Sequence, residues 1–411
     1  MQSRQCRKKL LDLWSVVALI GLFISAAVGH AATFYVAANG NDTNPGTEAR
    51  PFRKLAKGVK ALKAGDTLIV KAGTYKENLE NIIPSGTSWD TPVKVQAATG
   101  ETVIITPESS GGIVLSFLKE ETKYIIIDGF IIDANRIGSY AVYIGGGANH
   151  IRIINCEIKD ALRSGIIASA GGVGTSGGCC HEFKNLDIHD NGTDGKTHGI
   201  YIATTKNVIE NSRIYRNAGY GVHIYNSHGG AVENIVRYNK IYDNNVHGGP
   251  IGMILADGGN IAHSNVIWGN KSGISAGSKA KIYNNTIYEN NKAGGEGAGI
   301  ILLKADVEIK NNIIYNNGSR SVIHGIGSKT IQKNNLIEVD PKFTSASNGD
   351  VALQADSPAI DAGVVIGEVS HDFAGVSRPQ GAGYDIGAYE YTATKLLLLP
   401  KNLRVTGGSI Q

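Results

Sequence analysis

One short motif recurs through the middle of the chain and leaves few folds open. Asn155-Cys-Glu-Ile-Lys-Asp, Asn185-Leu-Asp-Ile-His-Asp and Asn211-Ser-Arg-Ile-Tyr-Arg-Asn share a pattern. It continues in Asn239-Lys-Ile-Tyr-Asp-Asn, Asn265-Val-Ile-Trp-Gly-Asn, Asn285-Thr-Ile-Tyr-Glu-Asn and Asn312-Ile-Ile-Tyr-Asn-Asn. Aligned on isoleucine, the anchors are Ile158, Ile188, Ile214, Ile241, Ile267, Ile287, Ile314 and Ile337, at intervals of 30, 26, 27, 26, 20, 27 and 23 residues. A second register follows: Gly165-Ile, Gly199-Ile, Gly221-Val, Gly252-Met, Gly273-Ile, Gly299-Ile and Gly325-Ile. Two short apolar strands per unit, joined by Gly and Asn turns, describe one coil of a solenoid. No coil can bury its own apolar face, so each must stack on the next. Asparagines at a fixed point of successive coils can share amide hydrogen bonds along the axis. The spaced leucines of a leucine-rich horseshoe are absent. The expected fold is all-β, a single-stranded right-handed parallel β-helix, as a monomer.

The ends read differently. Residues 1–31 form an expected export signal: Arg4 to Lys9 precede an apolar run from Leu13 to Val28, and Gly29 and Ala31 give a small-x-small cleavage pattern. The run is slightly short for a bilayer span, and no cysteine follows it to carry a lipid. The expected location is therefore secreted, periplasmic or cell-surface, with no membrane contact in the mature form. Residues 32–110 read as an N-terminal cap and first irregular coils. Within them Phe52, Leu55, Ala56, Val59 and Leu62 fall at helical spacing behind Pro51, with Gly65 as a stop. Such a helix covers the open end of a solenoid, where unpaired strand edges would otherwise lie bare. Regular coils span 111–339, a loop-rich C-terminal cap 340–391, and a tail or truncated linker 392–411.

Composition supports this picture. Gly is abundant (53) and Pro scarce (10), which suits many tight turns. Without residues 1–31, which hold four basic and one acidic side chain, 36 basic groups face 35 acidic ones. No electrostatic case for nucleic acid survives that near-balance. The remaining cysteines are Cys156, Cys179 and Cys180, an odd number that gives no simple disulfide framework. Cys179-Cys180-His181 hints at a soft-metal site but lacks an evident fourth ligand, and the cysteines read better as buried small hydrophobes.

Phe34-Tyr-Val-Ala-Ala-Asn-Gly-Asn-Asp, Asn44-Pro-Gly-Thr, Ala64-Gly-Asp-Thr and Lys71-Ala-Gly-Thr-Tyr together resemble the opening segment of secreted pectate-lyase-like β-helix proteins. Asp340-Pro-Lys-Phe, Ser357-Pro-Ala-Ile-Asp-Ala-Gly, Arg378-Pro-Gln-Gly and Asp385-Ile-Gly-Ala-Tyr-Glu resemble the terminal segment of many bacterial surface and secreted members. The resemblance covers roughly residues 33–391. It implies a polysaccharide ligand, a uronic-acid-containing glycan foremost. It does not choose among pectate, alginate and chondroitin lyases, uronate epimerases, glycosidases and members without chemistry. The Asp-rich calcium site and paired lysine sought in calcium-dependent pectate lyases are not found, nor is the Asp-Pro-His triplet of alginate epimerases. No cofactor is evident; calcium stays compatible, with no site assignable.

Two outward columns carry the candidate residues. In the Gly-Ile strand, Val142, Ile166, Ile200, Val222, Met253, Ile274 and Ile300 point inward. Tyr143, Ile167, Tyr201, His223, Ile254, Ser275 and Ile301 then point outward, so Tyr201 and His223 are neighbours on rungs about 4.8 Å apart. Tyr225 shares that face, and His198 stands at the mouth of the preceding loop. Long loops at Asp190–Thr197, Asn244–Pro250, Asn290–Ala298 and Asn316–Ser321 fall on one edge and would wall a cleft. β-Elimination on a uronan needs a base for the proton beside the carboxylate, a donor for the enediolate and an acid for the leaving oxygen. The expectation is His198 or His223 as base, Tyr201 as acid, and Arg163 or Arg216 on the carboxylate, with Tyr143 and Tyr225 lining the site. The second column, His189, Tyr215, Tyr242, Trp268, Tyr288 and Tyr315, could stack sugar rings if exposed, or lie under the C-terminal segment. Two functional classes remain: a polysaccharide lyase or related carbohydrate-active enzyme, and a non-catalytic glycan-binding surface or matrix protein.

Overall fold

The computed structural model describes residues 31–169, 178–225, 230–244, 251–291, 297–318, 320–324 and 329–393. The expected export signal and most of the expected tail lie outside them. Three parallel sheets of 12, 10 and 11 strands run the length of the molecule, and the chain visits each once per coil. The first sheet extends from Thr33–Val36 to Thr330–Lys333, the second from Leu79–Glu80 to Val322–His324, and the third from Gly73–Lys76 to Leu336–Ile337. This is the all-β right-handed parallel β-helix that the repeat predicts.

Strands of two to six residues suffice because inward side chains meet their equivalents one coil above and below. Ile158, Ile188, Ile214, Ile241, Ile267, Ile287 and Ile314 are all fully buried, and they pair in register across the third sheet. Ile337 takes the last place in that row, pairing with Ile314, and is partly exposed because no coil follows. In the second sheet Val142, Ile166, Ile200, Val222, Met253, Ile274 and Ile300 are likewise buried. The final place in this row differs from the expected Gly325-Ile: Ser321-Val322 fills it, with Val322 opposite Ile300. Gly325 falls outside the described residues.

The recurrent asparagines divide into two jobs one residue apart. Asn155, Asn185, Asn211, Asn284 and Asn311 hold left-handed backbone with φ of 50–56° at the corner before the third sheet, a conformation asparagine tolerates better than other non-glycine residues. The next residue points inward. Asn239, Asn265, Asn285, Asn312 and Asn335 form a ladder in which each side chain after Asn239 receives two hydrogen bonds from the coil below, at 2.9–3.0 Å, and Asn239 receives the Ser212 N–H. A second ladder runs through Asn191, Asn217, Asn244, Asn270, Asn290 and Asn317 at the corner between the third and second sheets.

A third ladder, Asn207–Asn234–Asn260, reaches down to His181. That histidine receives the Ile151 N–H on Nδ1, and its own N–H bonds to Asn207 Oδ1. His181 is thus a ladder member in the core, which removes it from any metal site. Cys156 holds the position equivalent to Asn239 three coils earlier, buried, with its sulfur accepting the Phe130 N–H. For Cys179 and Cys180 the expectation of buried thiols is replaced by a disulfide between the two, both half-buried.

The ladders also explain the recurrent glycine before each second-sheet strand. A Cβ on Gly221 would lie 2.7 Å from the Ile241 methyl, 2.8 Å from Asn244 Nδ2 and 2.8 Å from the Gly252 carbonyl. Ladder, isoleucine anchor and the next coil's backbone leave no volume there. Gly221→Ala is expected to destabilise by about 1–3 kcal/mol through overpacking, read as a lower urea midpoint with unchanged slope. A neutral result would mean that this corner can widen.

The helix Leu55–Ala61 lies over the N-terminal coil, with Leu55 and Val59 buried and its first N–H groups bonded to the Glu77 carboxylate. At the other end residues 340–391 wrap back along the third sheet. Their antiparallel pair, Phe343–Ser345 with Asp350–Leu353, packs with Val266, Trp268 and Tyr288. The fully buried Arg378–Glu390 pair holds this segment together internally. Among the described residues no helix is long and apolar enough to cross a membrane.

Candidate functional site

The outward column of the second sheet forms in the expected register. Tyr143 pairs with Ile167, Ile167 with Tyr201, Tyr201 with His223, and His223 with Ile254. Around Tyr201 and His223 gather His198, Tyr220 and Tyr225, with ring centroids 4.5–6.4 Å apart. His198 is buried, sandwiched between Tyr220 and Tyr201 in near-parallel stacks. It reaches this place because Gly219 lacks a Cβ, which would meet His198 Nδ1 at 2.6 Å.

Hydrogen bonds settle which nitrogens carry protons. His198 Nδ1 lies 3.1 Å from the Tyr220 amide nitrogen, which can only donate. The proton of neutral His198 is therefore on Nε2, 2.9 Å from His223 Nδ1. His223 Nδ1 accepts it, so neutral His223 carries its proton on Nε2. The pair is a directed relay that starts at a backbone amide and ends in an outward N–H. Burial pushes His198 down to about 3, with His223 adding to the shift, and burial pushes His223 down to about 4. Both are neutral around pH 7.

His198, Tyr201 and His223 therefore converge, while the two arginines part. Arg163, exposed and one coil toward the N-terminus, donates to the Tyr140 hydroxyl at 3.2 Å beside Tyr143. Arg216 belongs to the other column. It clasps Asp190 through two nitrogens and lies over the Tyr215 ring, away from the histidine pair. Tyr225 is 47% exposed at the open side of the cluster. Tyr220 is the member that sequence reasoning missed: it sits in a turn, outside the period-two strand pattern that located the others. Of the four long loops, the described parts leave the third sheet and lead into the second, on the edge beside this cluster.

The third-sheet column is a stack of rings. His189, Tyr215, Tyr242 and Trp268 succeed one another with centroids 4.9, 4.8 and 4.3 Å apart and interplanar angles of 18°, 6° and 4°. Their faces are turned toward each other along the axis, so they present edges outward. Tyr288 is buried under the C-terminal cap, its hydroxyl on the Ala346 carbonyl, and Trp268 and Tyr315 pack against the same segment. The expected open strip for sugar faces is thus closed at its C-terminal half and edge-on in the remainder. At its other end His189 lies between two carboxylates, 2.7 Å from Asp190 and 3.4 Å from Glu157. Burial by itself would lower His189, but the two carboxylates prevail and raise it. Bonds from Arg216 and His189 hold Asp190 down to about 2, and His189 foremost does the same for Glu157.

Among the described residues one trio of metal-ligand type comes together, His150, Cys179 and Cys180, with donor atoms within 4.8 Å of one another. Sulfur and imidazole are not the hard oxygen set that calcium takes.

Stacked parallel coils with a polar, aromatic-lined cluster on one sheet place the chain among the right-handed parallel β-helix proteins. It belongs to the Pel9A-like family, whose right-handed β-helix region matches residues 34–335. Among solved structures it is similar to pectate lyase Pel9A, with a TM-score of 0.67 at 18% identity over 88% of this chain and 96% of that one. It is also similar to XylC in complex with xylose (0.57, 12%, 87% and 98%) and to an alginate lyase from Paenibacillus sp. str. FPU-7 (0.54, 16%, 75% and 99%). A curated relative, the uncharacterized protein YwoF of Bacillus subtilis strain 168, is 31% identical over 139 residues. That match spans 32% of this chain and 29% of the relative.

Proposed function

We propose that the chain is an exported enzyme that cleaves or modifies an acidic polysaccharide at the His223–Tyr201 face of the second sheet. The observation that carries this reading is the His198–His223 relay, which aims a neutral imidazole N–H outward between two tyrosines. Relatedness of fold adds to it: two of the similar structures are a pectate and an alginate lyase, and both polymers are built of uronic acids. The leader-like N-terminus supports export.

In β-elimination the negative charge that develops on the uronate carboxylate is the main barrier, and a fixed donor in a half-buried site lowers it. His223 Nε2–H is such a donor, and Arg163 adds positive charge two coils below it and one below Tyr201. Tyr201, in edge contact with His223, serves as base and then acid: its phenolate takes the proton beside the carboxylate and the resulting phenol passes that proton to the leaving oxygen. His198 positions: with no open nitrogen, it acts by fixing the tautomer of His223.

The test is the rate of near-ultraviolet absorbance rise from unsaturated product on pectate, alginate and glycosaminoglycan substrates. His223→Ala and Tyr201→Phe are each expected to lower kcat by about 100-fold or more with the fold retained. The parent's acid limb should fall near pH 4, where a proton added to His223 Nδ1 faces the His198 Nε2–H and breaks the relay that holds the ring. His198→Ala should move that limb upward, because water then reaches His223. Full activity in both His223→Ala and Tyr201→Phe, or no unsaturated product from any uronan with the parent, would sink the proposal. In the latter case a non-catalytic glycan binder is the remaining reading, and binding should then fail on loss of Tyr225 or Tyr143.

A further inference from the structure

Just before a strand of the first sheet, and so on a different sheet from the cluster just described, Cys179 and Cys180 bridge two coils. The Cys179 carbonyl receives the His150 N–H at 3.0 Å from the coil below, and the Cys180 N–H donates to the Thr205 carbonyl at 3.1 Å in the coil above. Cys180 holds left-handed backbone (φ 65°). His150 lies 4.7 Å, centroid to centroid, from Tyr124 and 6.0 Å from Trp89, and the Arg152 guanidinium lies over the Trp89 ring at 3.6 Å. The imidazole is therefore held in place by its neighbours.

Its protonation is settled by a neighbour as well. His150 Nδ1 lies 2.7 Å from Asn149 Oδ1. Taking that oxygen as the acceptor, His150 carries its proton on Nδ1 and a lone pair on Nε2. A histidine whose second nitrogen donates to an oxygen is oriented as metal ligands usually are. One ring nitrogen and both sulfurs already lie within 4.8 Å of one another. In a tetrahedral zinc site the same donors stand roughly 3.5 Å apart, given metal–donor distances of about 2.0–2.3 Å. Opening the S–S bond and turning two side chains covers that difference.

We propose that Cys179, Cys180 and His150 form a redox-gated site for a thiophilic divalent cation of the zinc type, closed while the two sulfurs are bonded and open once they are reduced. A dithiol supplies two electrons and two protons: the S–S bond breaks, two thiols form, and the dithiol leaves as its own disulfide. The cation then displaces both thiol protons to solvent and forms two metal–sulfur bonds, with the His150 lone pair as third ligand. Two thiolates neutralise the double charge, which suits a half-buried position. The fourth position is left for water. Bound there, the metal ties the coil of His150 to that of Cys179 and Cys180.

Cobalt is the probe, because tetrahedral thiolate coordination to Co2+ gives visible d–d bands and a near-ultraviolet sulfur-to-metal charge-transfer band. The full chain is titrated with Co2+ as isolated and after treatment with a dithiol followed by anaerobic desalting; Zn2+ is then added as competitor. The expected result is one Co2+ per reduced chain, displaced by Zn2+, and no such bands for the oxidised chain. Cys156→Ser should bind as the parent does, since Cys156 lies in the core. Cys179→Ser with Cys180→Ser should abolish the charge-transfer band, and His150→Gln should weaken Zn2+ binding by about 10-fold or more against a chromogenic chelator. The proposal is overturned if oxidised and reduced chains bind alike, if the reduced chain shows no charge-transfer band, or if the band survives loss of both cysteines. Should the double variant not fold, the oxidised–reduced comparison and His150→Gln still decide.

Discussion

Asn265→Leu is expected to destabilise the β-helix by about 3–5 kcal/mol, far more than its similar volume suggests. Asn265 Oδ1 accepts from both the backbone and the side-chain nitrogen of Asn239, and its Nδ2 donates to the Val236 carbonyl and to Asn285 Oδ1. Leucine fills the space but takes away the acceptor of the buried Asn239 N–H and the side-chain donor of the Val236 carbonyl, each loss costing about 1–3 kcal/mol, while Asn239 Nδ2 keeps the Ile209 and Arg237 carbonyls. Water cannot substitute, since Asn239, Asn265 and Asn285 are buried to within 0% exposure. The comparison is Asn335→Leu at the last rung, where the side chain is only half-buried and solvent can take over the freed groups. Urea unfolding should show a much larger midpoint shift for position 265 than for 335. Equal shifts would mean that the ladder contributes no more than ordinary turns.

The second large effect is loss of stability in mild acid. Burial pushes His181, His198 and His263 down to about 3 and His223 to about 4. An unfolded histidine titrates near 6.5, so below that pH the unfolded chain binds more protons and stability falls with pH until the folded values are reached. At pH 5 each of these four sites removes about 2 kcal/mol, at roughly 1.4 kcal/mol per pH unit. Asp385, raised to about 6 mainly by burial in the C-terminal cap, works in the opposite direction: its folded form holds a proton that the unfolded form has lost, so stability recovers as pH falls through 6. That gain is about 1.4 kcal/mol at pH 5 and does not offset four histidines. His189, whose folded value is raised, contributes fully below 6.5 and loses its contribution only as pH rises.

The urea midpoint should therefore drop by several kcal/mol equivalents between pH 7.5 and 5.0. His181→Asn is the informative variant. Asparagine is the residue that the rest of this ladder uses: its Oδ1 can accept the Ile151 N–H now received by His181 Nδ1. It also removes a ring whose Nε2 is buried without a partner. The substitution should flatten the acid limb by about 2 kcal/mol at pH 5. An unchanged pH dependence would show that His181 is already protonated in the folded state.

Much of the scaffold could be read directly from residue order. Alternation along the Gly-Ile strands placed Val142 through Ile300 inside and Tyr201 beside His223, because a period-two pattern stacked at one coil per repeat leaves no other register with the core intact. The same reading merged two asparagine columns into one. Asn211 and Asn239 look alike in the motif, yet the first turns the chain and the second bonds along the axis; a shift of one residue separates a corner from the core. It also set the last repeat at Gly325 instead of Ser321-Val322, since spacing alone does not say which loop is longer.

By itself, then, the sequence determined the solenoid, its inward and outward faces, the helical lid and the place of the histidine–tyrosine pair. These follow from local alternation and from the need of every coil to bury its apolar side on the next. Tertiary structure decided what each outward residue can do. Residues in neighbouring coils, 20–30 positions away, fixed the His198–His223 proton direction, brought His150 to Cys179 and Cys180, and turned the Tyr215–Trp268 rings face to face. A segment about 60 residues further along covered Tyr288. Such facts depend on which groups arrive from distant parts of the chain to share one volume, and no spacing within a repeat encodes them.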